Sequence, residues 1–255
     1  MKRPLYFFLP VLILITWEIA ATVINNSFIL PRLESIVAVL IDPFSTTYLM
    51  GTGSLLDNAE ASVIRILLGF LLAAVIAIPL GIGMGRSEFV HEFFDSTIQV
   101  LRPIPPLAWV PLALAWFKIG LVSIVFIIFI GAFFPILLNT IDGVRGIKKT
   151  WAEVAINLGA RERQLMAKVI LPGAAPTIWT GLRVGFGVAW MCVIAAEWLP
   201  GTTQGLGYLI LYAYNFGQIN VVVAGMVAIG IIGISFDILF RGVEKRWFGW
   251  RSLER

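Results

Sequence analysis

The sequence predicts an all-α membrane protein of about six transmembrane helices, and three observations predict it. Of its 255 residues, 59% are hydrophobic and 13% charged, more apolar surface than a water-soluble domain of this size can hide. The apolar residues gather into runs of about 20, the length that crosses a hydrocarbon core as a helix. The cations collect in alternate connecting segments, as they do in multi-pass membrane proteins.

Leu5 to Ile24 is the first run. Lys2 and Arg3 before it imitate a secretory signal, but the run is long, carries Glu18 and is followed by no small-residue cleavage site, so it reads as a retained span. The second, Ile64 to Met84, sets Gly69, Ala73, Ala77, Gly81 and Gly85 four apart. That spacing lines one helix face, where a neighbouring backbone can approach closely, and Pro79 is expected to kink the span. The third, Val100 to Phe117, contains Pro103, Pro105, Pro106 and Pro111. Prolines free backbone carbonyls that hydrocarbon cannot satisfy, so this span should be kinked or broken and shielded by other helices. Leu121 to Thr140 and Val221 to Phe240, the fourth and sixth, are almost free of charge. The fifth, Ile178 to Trp198, repeats the small-residue device with Gly181, Gly185 and Ala189.

With the N-terminus in the cytoplasm, the inner segments hold Lys2, Arg3, Arg86, Arg102, Arg145, Lys148, Lys149, Arg161, Arg163 and Lys168. The tail adds Arg241, Lys245, Arg246, Arg251 and Arg255 to the same side. Outside stand Arg32 and Lys118, with Arg65 near the outer end of the second span, beside the acidic Glu34, Asp42, Asp57 and Glu60. This asymmetry orients both termini inward. It also accounts for the net charge of +4 without any nucleic-acid partner. One cysteine, Cys192, and one histidine, His91, are too few for an intrachain disulfide, a metal site or a nucleophile–base set.

Between the fourth and fifth spans, about residues 141–177, lies an amphipathic segment. Thr150 followed by Glu153 fits a capping box at the start of a helix from Trp151 to Leu158, and Gly159 suits a left-handed end. Trp151, Ala155 and Leu158 share a face of that helix, with Val154 beside them. A second helical stretch, Arg161 to Leu171, is expected to end at Pro172. An exposed apolar face bounded by basic residues suits either a docking element or a helix lying on the membrane surface.

The run Glu153-Val154-Ala155, Gly159 and Leu171-Pro172 resembles the EAA loop of binding-protein-dependent ABC importer permeases. Val154 stands where that loop has a second alanine and Val169 where isoleucine is usual, with the spacing kept. The resemblance extends to Leu101–Phe117 (LRPIPPLAWVPLALAWF), Gly131–Asn139 (GAFFPILLN) with Gly143-Val144-Arg145, and Ala195-Ala196-Glu197 with Gly205-Leu206-Gly207. Leu30-Pro31 matches more loosely. These segments are similar to the sulfonate, taurine, nitrate and bicarbonate branch of the family.

The resemblance implies a type I importer permease fold, one transmembrane permease domain over residues 1–255 with a core of about 60–245. It further implies a homodimer in the cell membrane, two cytoplasmic ATP-binding subunits and an extracytoplasmic solute-binding protein. By the same analogy Thr150, Trp151, Glu153, Ala155, Leu158 and Gly159 form the coupling element, and Leu171 and Pro172 set its return to the membrane. No ATP site is expected in this chain, because Gly146 is followed by Ile147 where a phosphate loop needs lysine. ATP and Mg²⁺ belong to the partner subunits. Trp109, Asn139, Trp190 and Met191 are candidate pathway residues, and Glu197 a candidate for the pathway or the outer docking surface.

Charge inside a membrane is costly, so Glu18, Arg183, Glu197 and Asp237 each need a reason. Pairing between helices or snorkelling is one reading, and a role in the pathway the other. An ion-coupled secondary transporter is the alternative from another class. It would show embedded carboxylates and an internal repeat with matching broken helices, whereas the sequence has one proline-broken span and no repeat.

Overall fold

The computed structural model describes residues 5–45 and 52–248, with side chains from Phe8 onward. Lys2, Arg3, Arg251 and Arg255 lie outside the described residues. The helices are α1 (Leu5–Ile24), α2 (Leu33–Ile41), α3 (Leu55–Arg86), α4 (Glu88–Leu101), α5 (Val110–Phe117), α6 (Leu121–Arg145) and α7 (Lys149–Asn157). They continue with α8 (Glu162–Leu165), α9 (Leu171–Ala196), α10 (Leu206–Asn215) and α11 (Ile219–Trp247). A 3₁₀ turn, Pro106–Trp109, precedes α5, and a π turn, Met166–Ile170, joins α8 to α9.

Helices α3, α6, Glu162–Ala196 and α11 are each long and apolar enough to cross a membrane. The pair Glu88–Leu101 and Pro106–Phe117, bent by 88°, makes a fifth span if counted together. Phe8–Ile24 of α1 is a further, shorter apolar helix. The proline-rich segment is therefore broken, as its composition requires. Pro79, by contrast, sits inside a helix that runs unbroken from Leu55 to Arg86.

The chain divides into two compact units. The first comprises Met1–Val63 and Thr202–Ile232. Within it the Glu18 carboxylate accepts the Leu33 N–H at 2.9 Å, and the Trp17 indole donates to the Pro31 carbonyl at 3.0 Å. Glu18 thus caps the first turn of α2, where a helix leaves N–H groups unpaired and favours negative charge. Asn58 and Ser62, both fully buried one turn apart on α3, do the same for α10. Their oxygens accept the Gly205 and Leu206 N–H groups at 2.8 and 2.9 Å. The Asn58 amide also donates to the Thr52 and Ser54 carbonyls at 2.9 and 2.8 Å, leaving no buried polar group of this residue unmatched.

A reciprocal cap starts α3. Ser54 Oγ accepts the Asp57 N–H at 3.1 Å, while Asp57 Oδ2 accepts the Ser54 N–H at 2.8 Å.

The second unit comprises Ile64–Gly201 and Gly233–Arg255. Its core is the packing of α3, α6 and α9 through the small-residue stripes. A methyl built on Gly81 would lie 2.7 Å from Thr140 Cβ and 3.0 Å from the Leu137 carbonyl, and one on Gly85 2.6 Å from Val144 Cβ. Ala73 and Ala77, between these glycines on the stripe, are fully buried. Gly181 and Gly185 bring α9 as close to Asn139 and Ile136 of α6. Lipid supplies no hydrophobic drive between helices, so this contact distance is what yields dispersion energy.

Gly81→Leu is expected to destabilise the unit by several kcal/mol, since the obstructing atoms include backbone. The check is the melting temperature of the detergent-purified chain, with Gly83→Leu as control. A methyl at Gly83 would meet only Val90, at 3.8 Å.

Candidate coupling surface, ion pairs and cavity

Helix α7 starts one residue before Thr150, at Lys149, with Lys148 as an N-cap that makes no side-chain cap hydrogen bond. The expected Thr150–Glu153 capping box is therefore absent. Thr150 lies within the first turn, where its backbone is already helical and cannot adopt the extended cap geometry. Tertiary packing sets the helix entry instead: Ile147 packs against the buried cluster of Val144, Leu165, Ile170 and Ala174. The Lys148 ammonium sits 5.6 Å from the centre of the Trp151 ring.

The C-terminal end follows expectation. Gly159 has φ +83°. Its N–H donates to the Ile156 carbonyl at 2.8 Å and the Ala160 N–H to the Ala155 carbonyl at 3.0 Å. These two bonds make a Schellman end, which needs a left-handed residue that glycine adopts without penalty.

Ala152 and Ala155 face the buried cluster. Trp151, Val154 and Leu158 are exposed, Leu158 to 83%. Together with Ala155, Lys168, Val169, Pro172 and Gly173, those three line an open groove of about 530 Å³. Glu153 is exposed and makes no ion pair among the described residues.

The second helical stretch does not end at Pro172. From Glu162 to Ala196 the chain is one 35-residue helix. The Leu171 N–H reaches back five residues to the Met166 carbonyl, and this wider π turn makes room for the ring of Pro172 and its missing N–H. Leu171 and Pro172 thus join the α7 surface to a membrane-length helix without a loop.

Of the four charges singled out within the apolar runs, Glu197, Arg183 and Asp237 are ion-paired. Glu197, fully buried, meets Arg65 at 2.8 Å, with Arg65 only 14% exposed. Arg183 on α9 meets Asp237 at 2.8 Å and Glu244 at 3.7 Å, and Arg241 joins Asp237 at 2.7 Å.

The candidate pathway residues separate. Asn139 lines a cavity of about 440 Å³ with Arg102, Pro135, Leu138, Asp142 and Val184 among its walls. Trp109, half-buried, stacks edge-on to Phe126, and its buried indole N–H has no partner among the described residues. Trp190 is buried against Phe236 and Gly233 and does not border the cavity. Met191, one residue on, is 76% exposed. Cys192 packs against Gly131. Arg65, Arg102 and Lys168 were not among the candidate site residues. The signal available for the two arginines is a cation placed inside or at the break of an apolar run.

Residues 77–249 match the family model described as binding-protein-dependent transport system inner membrane component. The chain is 54% identical to a protein of Methanocaldococcus jannaschii that bears the name of an ABC transporter permease, over 96% of this chain and 91% of the relative. It is 35% identical to the taurine transport system permease protein of Escherichia coli, over 96% and 88%. Identity to the nitrate import permease protein of Synechocystis is 36%, over 91% and 85%. Among solved structures, a chain of the MetNI methionine ABC transporter in an inward-facing conformation matches with a TM-score of 0.59 at 18% identity. That match covers 74% of this chain and 95% of that one, and shows a shared fold.

Proposed function

The chain belongs to the family of inner membrane components of binding-protein-dependent transport systems, the permeases of ABC importers, and on that premise we propose that ATPase subunits drive it through α7 and that it carries a small oxyanion. The observation that carries the coupling reading is the Schellman-ended α7, which presents Trp151, Val154 and Leu158 outward while Ala152 and Ala155 anchor it. A partner's closure can bias this chain between conformations only through a contact stiff enough to pass the preference on. Here α7 is packed on the cluster, and the groove beside it continues through Val169 and Pro172 into the long helix.

The rest of the assembly follows from the family and the charge pattern. Two ATP-binding subunits sit on the cytoplasmic side and hold ATP and Mg²⁺. A solute-binding protein delivers from outside, and a second copy of this chain completes the pathway. Both termini and α7 face the cytoplasm, because the cations cluster there. The oxyanion class is supported by the names of the taurine and nitrate relatives. A secondary transporter is disfavoured because Glu18, Glu197 and Asp237 are each engaged within the chain, as a cap or as ion pairs.

The test is reconstitution in vesicles with the ATPase and binding-protein partners. Taurine or nitrate uptake is expected to require ATP and both partners. Uptake driven by an ion gradient without ATPase chains would overturn this reading.

A further inference from the structure

The break in the third span leaves an arginine at its corner. Arg102 follows the last residue of α4 and precedes Pro103, at the 88° bend. Its side chain borders two neighbouring cavities of about 440 and 540 Å³, both of which it shares with Leu138. Elsewhere in this unit Arg65, Arg86, Arg183 and Arg241 are ion-paired, and Arg145, which is not, donates to the Met84 carbonyl at 3.5 Å. Arg102 makes no ion pair among the described residues, although it lies where an apolar span is interrupted. Arg102 is exposed on this chain, on the side where the inner cations gather, so its guanidinium is open to a solute entering either cavity.

We infer that Arg102 binds an oxyanion inside the permease itself, and that this anion is the transported solute. The inference rests on the importer reading above. A guanidinium offers a planar fork of donors that matches sulfonate, carboxylate or nitrate oxygens pairwise. The other polar groups on the wall sharpen the assignment. Asn139 spends an amide N–H on the Pro135 carbonyl at 2.8 Å. Asp142 contributes a carboxylate to the same cavity, which weakens any anion held nearby. A transport path needs this: binding firm enough to admit the solute and weak enough to release it. Selectivity for anions is then set twice, once by the external binding protein and once at Arg102.

The test separates this site from the importer reading. In the assembled transporter, Leu138→Cys is introduced on a Cys192→Ser chain, and the rate of maleimide labelling is measured in inside-out vesicles without ATP. Taurine or nitrate is expected to slow labelling. Arg102→Gln is expected to abolish that protection, and Arg102→Lys to retain it at about tenfold higher anion concentration. In the otherwise native transporter, Arg102→Gln is expected to lower uptake about tenfold or more while ATP hydrolysis stimulated by the binding protein persists.

Protection that is missing with Arg102 present, or unchanged in Arg102→Gln, overturns the inference. So does loss of hydrolysis together with uptake, which would mark a structural role. Labelling that no soluble anion alters would assign the arginine to a lipid phosphate instead. Protection without any ATP-driven uptake would sink the importer reading and leave the site standing.

Discussion

Replacing Gly159 with proline is expected to abolish ATP-driven uptake while leaving the amount of permease in the membrane unchanged. Gly159 has φ +83°, and proline is locked near −65°. The substitution also removes the N–H that donates to the Ile156 carbonyl at 2.8 Å and displaces the Ala160 N–H from Ala155. A misplaced proline costs about 3 kcal/mol or more, enough to fray a helix of nine residues. The damage stays local, because a Cβ at Gly159 would meet nothing within 4 Å. The substitution series separates backbone conformation from side-chain bulk. Gly159→Asn tolerates the left-handed conformation and should keep most activity. Gly159→Ala, penalised by about 1–2 kcal/mol, should fall between asparagine and proline. Glu153→Lys, which reverses an exposed charge on α7 without altering its cap, should also stop uptake. The readout is uptake set beside ATPase stimulation in reconstituted vesicles. Coupled uptake at the native rate in Gly159→Pro would remove α7 as the coupling element.

Glu197→Ala is expected to destabilise the second unit strongly. It leaves Arg65, 14% exposed, without the carboxylate that lies 2.8 Å away. Breaking a buried pair by removing one partner costs about 3–5 kcal/mol, mostly the penalty of the stranded charge. The double variant Arg65→Met with Glu197→Leu should be more stable than Glu197→Ala, since both charges are removed together. Glu197→Gln keeps the shape and a hydrogen bond but not the charge, and should fall between. Thermal unfolding in detergent and recovery of the assembled complex measure the series. If Glu197→Gln assembles and transports as the native chain does, the ion pair has no role in either.

Several features of the site were readable because they depend on neighbouring residues alone. Gly159 ends α7 as predicted, since a left-handed position selects glycine whatever surrounds it. The Gly69–Gly85 stripe meets α6 because residues four apart share a helix face in any helix. The third span breaks because four prolines cannot be absorbed.

The failures lie where a local pattern competed with packing. Thr150 and Glu153 have the sequence of a capping box and do not form one, because anchoring of Ile147 starts the helix early. Ser54 and Asp57 form one with aspartate in place of the usual glutamate. Pro172 looked like a terminator, yet a single π turn carries the helix past it. Glu18 and Asn58 are polar residues whose purpose is to cap helices remote in sequence, and nothing near them announces it. Trp190 and Met191, adjacent in the chain, point one into the core and one outward.

By itself the sequence determined four of its six expected spans, the helix faces that pack, the break in the third and the family, because hydropathy, periodicity, proline chemistry and motif spacing act over a few residues. The tertiary structure alone decided which charges are partners, which polar side chains cap which helices, and which residues border a cavity. Those depend on atoms brought together from distant parts of the chain, as Arg65 and Glu197 are. No local pattern encodes a partner more than a hundred residues away.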